Sequence, residues 1–410
     1  MPRRDLSPRK PEITTAPLGV PGFRAAGVRC GIKKRGLDLA LIAADELVTA
    51  AGIFTRSTVV GAPVELSRAR VRAGRVRGVV VNSGCSNVAM GERGRRDAAA
   101  MADAAARAIG ARGEQMLVSS TGVIGQPLPM AKIRRGIADA AVSLAADGLG
   151  DAARAIMTTD TVPKHASTVV WIDGRSVTVA GIAKGVGMIE PNMATMLAFL
   201  LSDAAATPAF LRTTLREAAD RSFNRLTVDG EGSTSDTALL LASGRAQNAR
   251  LRSARSPGAR RFIDAVSGVA TSLARQLARD GEGATKLVLV SVIGARTDGD
   301  AERAARRIAN SMLVKTALFG GDANWGRILQ TIGAGRIALR LARTTVRLGG
   351  VVVFRNGASA GPSARARARK ALSGEELKIE VDLGLGRGAA QIWTCDLSYD
   401  YVRINAEYTT

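Results

Sequence analysis

Apolar and polar positions change period several times along this chain. Short runs of strand character occupy residues 37–54 (LDLALIA, then ELVTAAGIF), 77–83 and 115–120. Helical spacing appears at 95–109, 130–145 and 151–157. Residues 167–173 and 176–182 read as a hairpin turning at Asp173-Gly174. Beyond them the pattern predicts helices at 207–221, 260–279 and 300–313, the first opening on Thr207-Pro208. Strands are predicted at 237–243 and 286–293, and then at 336–348, 350–354, 376–383, 389–396 and 399–405. Strands and helices do not alternate regularly, so the expectation is a mixed α/β chain rather than a doubly wound sheet.

Residues 184–201, KGVGMIEPNMATMLAFLL, stand at the centre of this pattern. Gly185 and Gly187 loosen the backbone after a strand, and Pro191-Asn192 signals a turn. A nearly unbroken apolar run follows from 193 to 201, with one hydroxyl, Thr195. The run is too short to cross a bilayer and suits a strand covered on both faces. By pattern alone Thr195 reads as a core threonine bonded to nearby backbone rather than as a nucleophile. Lys184 reads as a surface lysine, and Glu282 as part of a solvated acidic turn.

Composition narrows the classes. At 410 residues the chain can build a large core, most simply as two domains. The basic, proline-bearing start is followed by no apolar segment, so it reads as a disordered tail rather than a signal peptide. Cys30, Cys85 and Cys395 are odd in number and unpaired in spacing, which fits a reducing cytoplasm and disfavours a disulfide framework or zinc site. The net charge of +22 raises nucleic-acid binding as a reading, but aromatics are only 3% of residues, too few for a base-stacking surface. The arginines fall in separate patches at 68–77, 245–261 and 365–369, as solvated faces do.

The chemistry available is restricted. His165 is the only histidine, in what reads as a surface turn after Pro163-Lys164. No nucleophile elbow and no Walker A loop occur, and GLGRG at 384–388 lies between two strands, as a hairpin turn would. One nucleophile needs no histidine: a threonine activated by its own N-terminal amine, whose pKa of about 7.7–8 lies near working pH. Thr195 meets that condition only if the Ala194–Thr195 bond is cut.

KGVGMIEPNMATML at 184–197 closely resembles the self-cleavage segment of the ornithine acetyltransferase family, the glutamate N-acetyltransferases of arginine biosynthesis. Further segments resemble the family in order: GFRAAGV (22–28), SSTGVIG (119–125), MTTDT (157–161), DGEGATK (280–286), KTALFGGDANWGRI (315–328) and the terminal YVRINAEYTT. The likeness spans about residues 21–410.

The resemblance implies a layered αββα-type sandwich at 21–285, after a basic tail at 1–20, with a smaller C-terminal α/β domain at 286–410. It implies that Thr195 attacks the carbonyl of Ala194 and that hydrolysis leaves an alpha chain, 1–194, and a beta chain from 195. The freed amine then serves as base for the Thr195 hydroxyl, which takes acetyl from N-acetylornithine and passes it to glutamate. Thr121 and Gly122 are implied as the oxyanion hole. Thr158, Lys184, Thr195, Glu282, Asn405 and Thr410 are implied as substrate-binding, Lys184 for a carboxylate and Glu282 for an ammonium group. No cofactor or metal is implied, though acetyl-CoA is allowed as a second acetyl donor. Partners are the fragments themselves, in a heterotetramer of two alpha and two beta chains, with no nucleic acid and no membrane. Two segments depart from the family pattern: NSGCSNVAMG (82–91), and VDGEGSTSDT (228–237) with Glu231, Gly232 and Ser235 at unusual positions. The competing readings are an aminopeptidase or amidase relative with the same N-terminal threonine, and a basic nucleic-acid-binding protein.

Overall fold

The computed structural model describes residues 11–190 and 196–407. The first region runs β1 (Phe23–Val28), β2 (Leu39–Phe54), α1 (Ala62–Arg70), β3 (Arg75–Cys85), α2 (Gly91–Ala108), β4 (Met116–Val123), α3 (Met130–Val142) and α4 (Leu149–Ala155). It continues with β5 (Lys164–Ile172), β6 (Arg175–Lys184), β7 (Leu197–Ser202), α5 (Pro208–Arg221), β8 (Thr237–Ala242) and α6 (Ala259–Arg279). The second region holds β9 (Leu287–Ala295), α7 (Asp298–Asn310), α8 (Met312–Phe319), α9 (Trp325–Ala334), β10 (Thr345–Leu348), β11 (Val351–Arg355) and β12 (Ala358–Ser359). It closes with α10 (Pro362–Ala371), β13 (Glu376–Asp382), β14 (Gly388–Cys395) and α11 (Tyr399–Glu407).

β2 sets the layering. Its first part pairs with β3 and its last six residues pair with β8, with a register break between Ala43 and Val48. The strands therefore form one hydrogen-bonded order, β4-β3-β2-β8-β7-β6-β5, that turns over on itself at β2. Alternate side chains show the result, because successive strand residues point to opposite faces. Ile42, Val79, Val81 and Leu117 from one half meet Ile182, Leu197, Phe199, Leu201, Leu239 and Leu241 from the other. The outer face of the first half, with Leu41, Val80 and Val118, packs on α2 and α3. The outer face of the second half, with Val179, Leu200 and Leu240, packs on α5 and α6. Four layers result, helix–sheet–sheet–helix, so the chain is a mixed α/β protein with an αββα sandwich. Every residue of β7 is buried, and it lies between β6 and β8.

The second sheet, β12-β11-β10-β13-β9-β14, has its own core with α7, α9 and α10. Leu287 and Cys395 join it to the first core beneath α6, and Arg275 of α6 stacks over Trp393 at 5.0 Å.

Four expectations are corrected. Residues 399–405 are helical: the Tyr-Asp-Tyr-Val alternation imitates a strand, but Ser398 accepts from Asp400 N (3.1 Å) and Asn405 reaches back to the Tyr401 carbonyl (3.0 Å). Of 336–348 only Thr345–Leu348 is strand. Residues 11–20 are not free tail: Thr14 bridges Ser167 of β5, Thr168 donates to the Glu12 carbonyl, and Val20 is buried. His165 is not in a surface turn but within β5, with its Nδ1 buried and lacking a partner among the described residues. No helix among the described residues is long and apolar enough to cross a membrane.

Candidate active site

One end of the folded-over sheet carries the chemistry. β6 finishes at Lys184, which pairs with Leu197 at the start of β7, and Leu197 in turn pairs with Thr237 at the start of β8. β3 and β4 run parallel and end nearby, where Gly84 pairs with Gly122. A Cβ on Gly122 would lie 2.4 Å from the Gly84 backbone, and its φ is +125°, so only glycine fits this close crossing. Between these ends opens a cavity of about 240 Å3. It is lined by Thr121, Gly122, Thr158, Lys184, Glu282 and Asn405, together with Met196 and Leu197. Six of the predicted site residues thus converge from five separate segments. Ala194, Thr195 and Thr410 lie outside the described residues.

Lys184 is buried, not a surface lysine. Its ammonium donates to the Thr121 hydroxyl oxygen at 3.2 Å. Burial pulls its pKa down, and the Asp160 carboxylate opposes that. Asp160 accepts from Lys164 Nζ (2.7 Å), from Gly185 N (2.9 Å) and from Thr158 N (3.0 Å). It therefore holds both the loop bearing Thr158 and the turn after Lys184. Lys164 has no exposed side-chain surface and also pairs with Asp280 at 2.6 Å. This buried Asp–Lys–Asp cluster escaped the sequence reading because Pro163-Lys164 looks like a turn.

Burial alone would raise the Asp160 pKa, but Lys164 and Lys184 override it and hold the group at about 2, below its ordinary 3.8. A folded-state pKa below the unfolded one stabilises the fold above the unfolded value, and that stability is lost as protons bind. We expect the unfolding free energy to fall as the pH drops from about 4 towards 2. Asp160→Asn should remove this acid-dependent step, which denaturant titrations over that range would measure.

The opposite wall is acidic. Glu282 accepts from Thr159 Oγ1 and from Asn405 Nδ2, each at 2.9 Å. A Cβ on Gly187 would strike the Glu282 carboxylate at 2.5 Å, so this glycine is what lets the carboxylate approach the turn. Asp229 binds the backbone N–H groups of Met188 (2.6 Å) and Ile189 (2.8 Å) and receives the Tyr401 hydroxyl at 3.4 Å. Burial and these carboxylates push the Tyr401 hydroxyl pKa well up, so it stays protonated. Thr159, Asp160, Lys164, Asp229 and Tyr401 were not singled out as site residues from sequence. The signals in the sequence were the MTTDT segment, the first acidic loop and the terminal YVRINAEYTT, which begins at Tyr401. Among the described residues no group of His, Cys, Asp and Glu could hold a metal ion.

The site therefore combines a lysine-backed hydroxyl, a glycine with open backbone and a facing carboxylate. Comparison with known proteins gives this arrangement its class. The ArgJ family model matches residues 24–410. The arginine biosynthesis bifunctional protein ArgJ of Symbiobacterium thermophilum is 49% identical over 402 residues, covering 97% of this chain and 98% of that protein. The same-named protein of Geobacter sulfurreducens is 48% identical over 394 residues, covering 96% and 100%. The crystal structure of ArgJ from Bacillus halodurans matches with 41% identity and a TM-score of 0.50. It covers 52% of this chain and 100% of its own.

Fold, site and relatives together define an acyltransferase of arginine biosynthesis. The chain belongs to the ArgJ family.

Proposed function

We propose that this chain cuts itself between Ala194 and Thr195, and that Thr195 then carries acetyl from N-acetylornithine to glutamate. The observation that carries this reading is the convergence of Thr121, Gly122, Lys184, Glu282 and Asn405 on a cavity whose wall includes Met196, the next residue after Thr195.

In the cutting step, the Thr195 hydroxyl adds to the Ala194 carbonyl. The C–N bond breaks as the hydroxyl proton passes to the nitrogen, which leaves as a free amine, and water then hydrolyses the resulting ester to the Ala194 carboxylate and the Thr195 hydroxyl. In the transfer step, the freed amine takes the hydroxyl proton as oxygen attacks the acetyl carbonyl. That proton passes to the leaving amine of ornithine, and glutamate's amine later attacks the acetyl ester. Thr121 suits the oxyanion role because it accepts from Lys184, which leaves its own proton free to donate into the cavity. Glu282 faces a substrate ammonium, and Lys184 is the described lysine lining the cavity for a carboxylate.

The two fragments stay together in this reading. β7 follows the cut, yet pairs with β6 before it. Exposing Leu197, Phe199, Leu200 and Leu201 would cost on the order of 6–12 kcal/mol. The family likeness adds the pairing of two such heterodimers, and the three buried free cysteines suit a reducing cytoplasm. The test is an exchange assay. Purified protein given N-acetylornithine and glutamate should release ornithine and N-acetylglutamate in equal amounts. Hydrolysis of aminoacyl amides without exchange would instead favour an aminopeptidase.

A further inference from the structure

Met188 stands on the cavity wall in a backbone conformation that methionine rarely takes. Its φ is +54°, in the left-handed region. Among the described residues other than glycine that have a positive φ, it alone lines the cavity. A Cβ in that region crowds the following carbonyl oxygen, so such positions favour glycine, asparagine or aspartate. The same turn does use glycine elsewhere, at Gly185 with φ +145° and at Gly187 against Glu282. A strained residue persists where its surroundings hold it, and such residues gather at functional sites.

The surroundings hold Met188 from both sides. Asp229 accepts from Met188 N at 2.6 Å and from Ile189 N at 2.8 Å. Before it, Glu282 N donates to the Val186 carbonyl at 2.8 Å, and after it Val228 N donates to the Ile189 carbonyl at 2.7 Å. Core packing does not account for the side chain. Ile189, next in the chain, is fully buried in the core under α5 and α6. Met188 is only partly buried and belongs to none of the hydrophobic clusters. The turn that carries it leads from the Lys184 ammonium to the Glu282 carboxylate, which lies against Gly187.

We propose that Met188 is a specificity-determining residue whose side chain packs on the methylene chain of the amino-acid substrate and sets the chain length accepted between Lys184 and Glu282. The inference rests on the acyl-transfer reading above, in which the substrate brings a carboxylate to Lys184 and an ammonium to Glu282. Between those charges N-acetylornithine has only a run of methylenes, which neither charged side chain can recognise. Val186 and Leu197 also line the cavity, but they are 1% and 2% exposed and offer little surface. An unbranched, polarisable thioether fits itself to a linear chain. A methylene gained or lost against such an apolar wall changes selectivity by about 10–200-fold.

The test is calorimetry with ornithine and lysine, which differ by a single methylene and carry no acetyl group to transfer. The wild type should bind ornithine more tightly than lysine. Met188→Gly, which accepts a positive φ freely, should lower the ornithine-to-lysine affinity ratio about tenfold. Met188→Leu, apolar and of similar volume, should keep the ratio within about threefold of the wild type. A wild type without preference overturns the proposal. An unchanged ratio in Met188→Gly overturns it whatever happens to the two affinities, because a disturbed turn weakens both ligands alike. Equal loss of the ratio in Met188→Leu overturns it as well. Intact masses and melting curves first establish that the compared proteins share one processing state and fold. If Met188→Gly does not, Met188→Gln, unbranched and polar, takes its place under the same criterion. Acetyl exchange from N-acetylornithine to glutamate is measured on the wild type in parallel. Ornithine preference without exchange overturns the acyl-transfer reading and leaves the Met188 comparison standing, whereas binding of neither amino acid overturns both.

Discussion

Thr195→Ala leaves a single chain of 42.6 kDa and abolishes acetyl exchange. Alanine has no hydroxyl to attack the preceding carbonyl, so the peptide bond stays intact. The same change removes both the acyl carrier and the amine that acts as its base. Losing a nucleophile in such a unit typically costs about 10⁴-fold or more in rate. The variant should still fold, since β7 begins two residues later and keeps all its apolar contacts. Thr195→Ser keeps the hydroxyl and should still be cut. Denaturing gels and an exchange assay measure both effects. Cutting at the same bond in the alanine variant would contradict the assignment.

The second large effect is on stability. Lys164→Met removes the cation that Asp160 and Asp280 share in the interior. Breaking a buried pair by deleting one partner is strongly destabilising, typically about 3–5 kcal/mol, because the remaining charge has no water to turn to. For a chain of this size, unfolding as one unit, each kcal/mol moves the melting temperature by about 1 °C, so a drop on the order of 5 °C is expected. The measurement should be made in the uncut Thr195→Ala background, where unfolding and fragment separation cannot be confused. Adding Asp160→Asn and Asp280→Asn should recover part of the loss. A melting temperature within about 1 °C of the parent would show that the cluster contributes nothing net, as an exposed pair would.

Local patterns were legible where local physics decides. The apolar run at 193–201 announced β7, and Thr207-Pro208 announced the start of α5, where the Thr207 side chain caps Phe210 N at 3.3 Å. Tyr399 to Asn405 misled because alternating residues fit a strand until the Ser398 cap and the following turn are seen. Burial was less legible still. Lys184 and Lys164 follow segments that could end at the surface, and only the sheet turning over at β2 places them inside. The site joins residues 121, 159, 184, 229, 282 and 401 through strand pairing rather than sequence spacing. The family likeness pointed to six residues of this cavity, but not to Asp160 or Lys164, which hold Thr158 and the turn after Lys184 in place from beneath.

The most direct test is to expose purified protein to N-acetylornithine without glutamate, quench it in acid and weigh the fragments. The fragment starting at Thr195 should be heavier by one acetyl group on its first residue, and should lose it when glutamate is added before the quench. An uncut chain in active material, or an acetyl group on any other residue, would contradict the account.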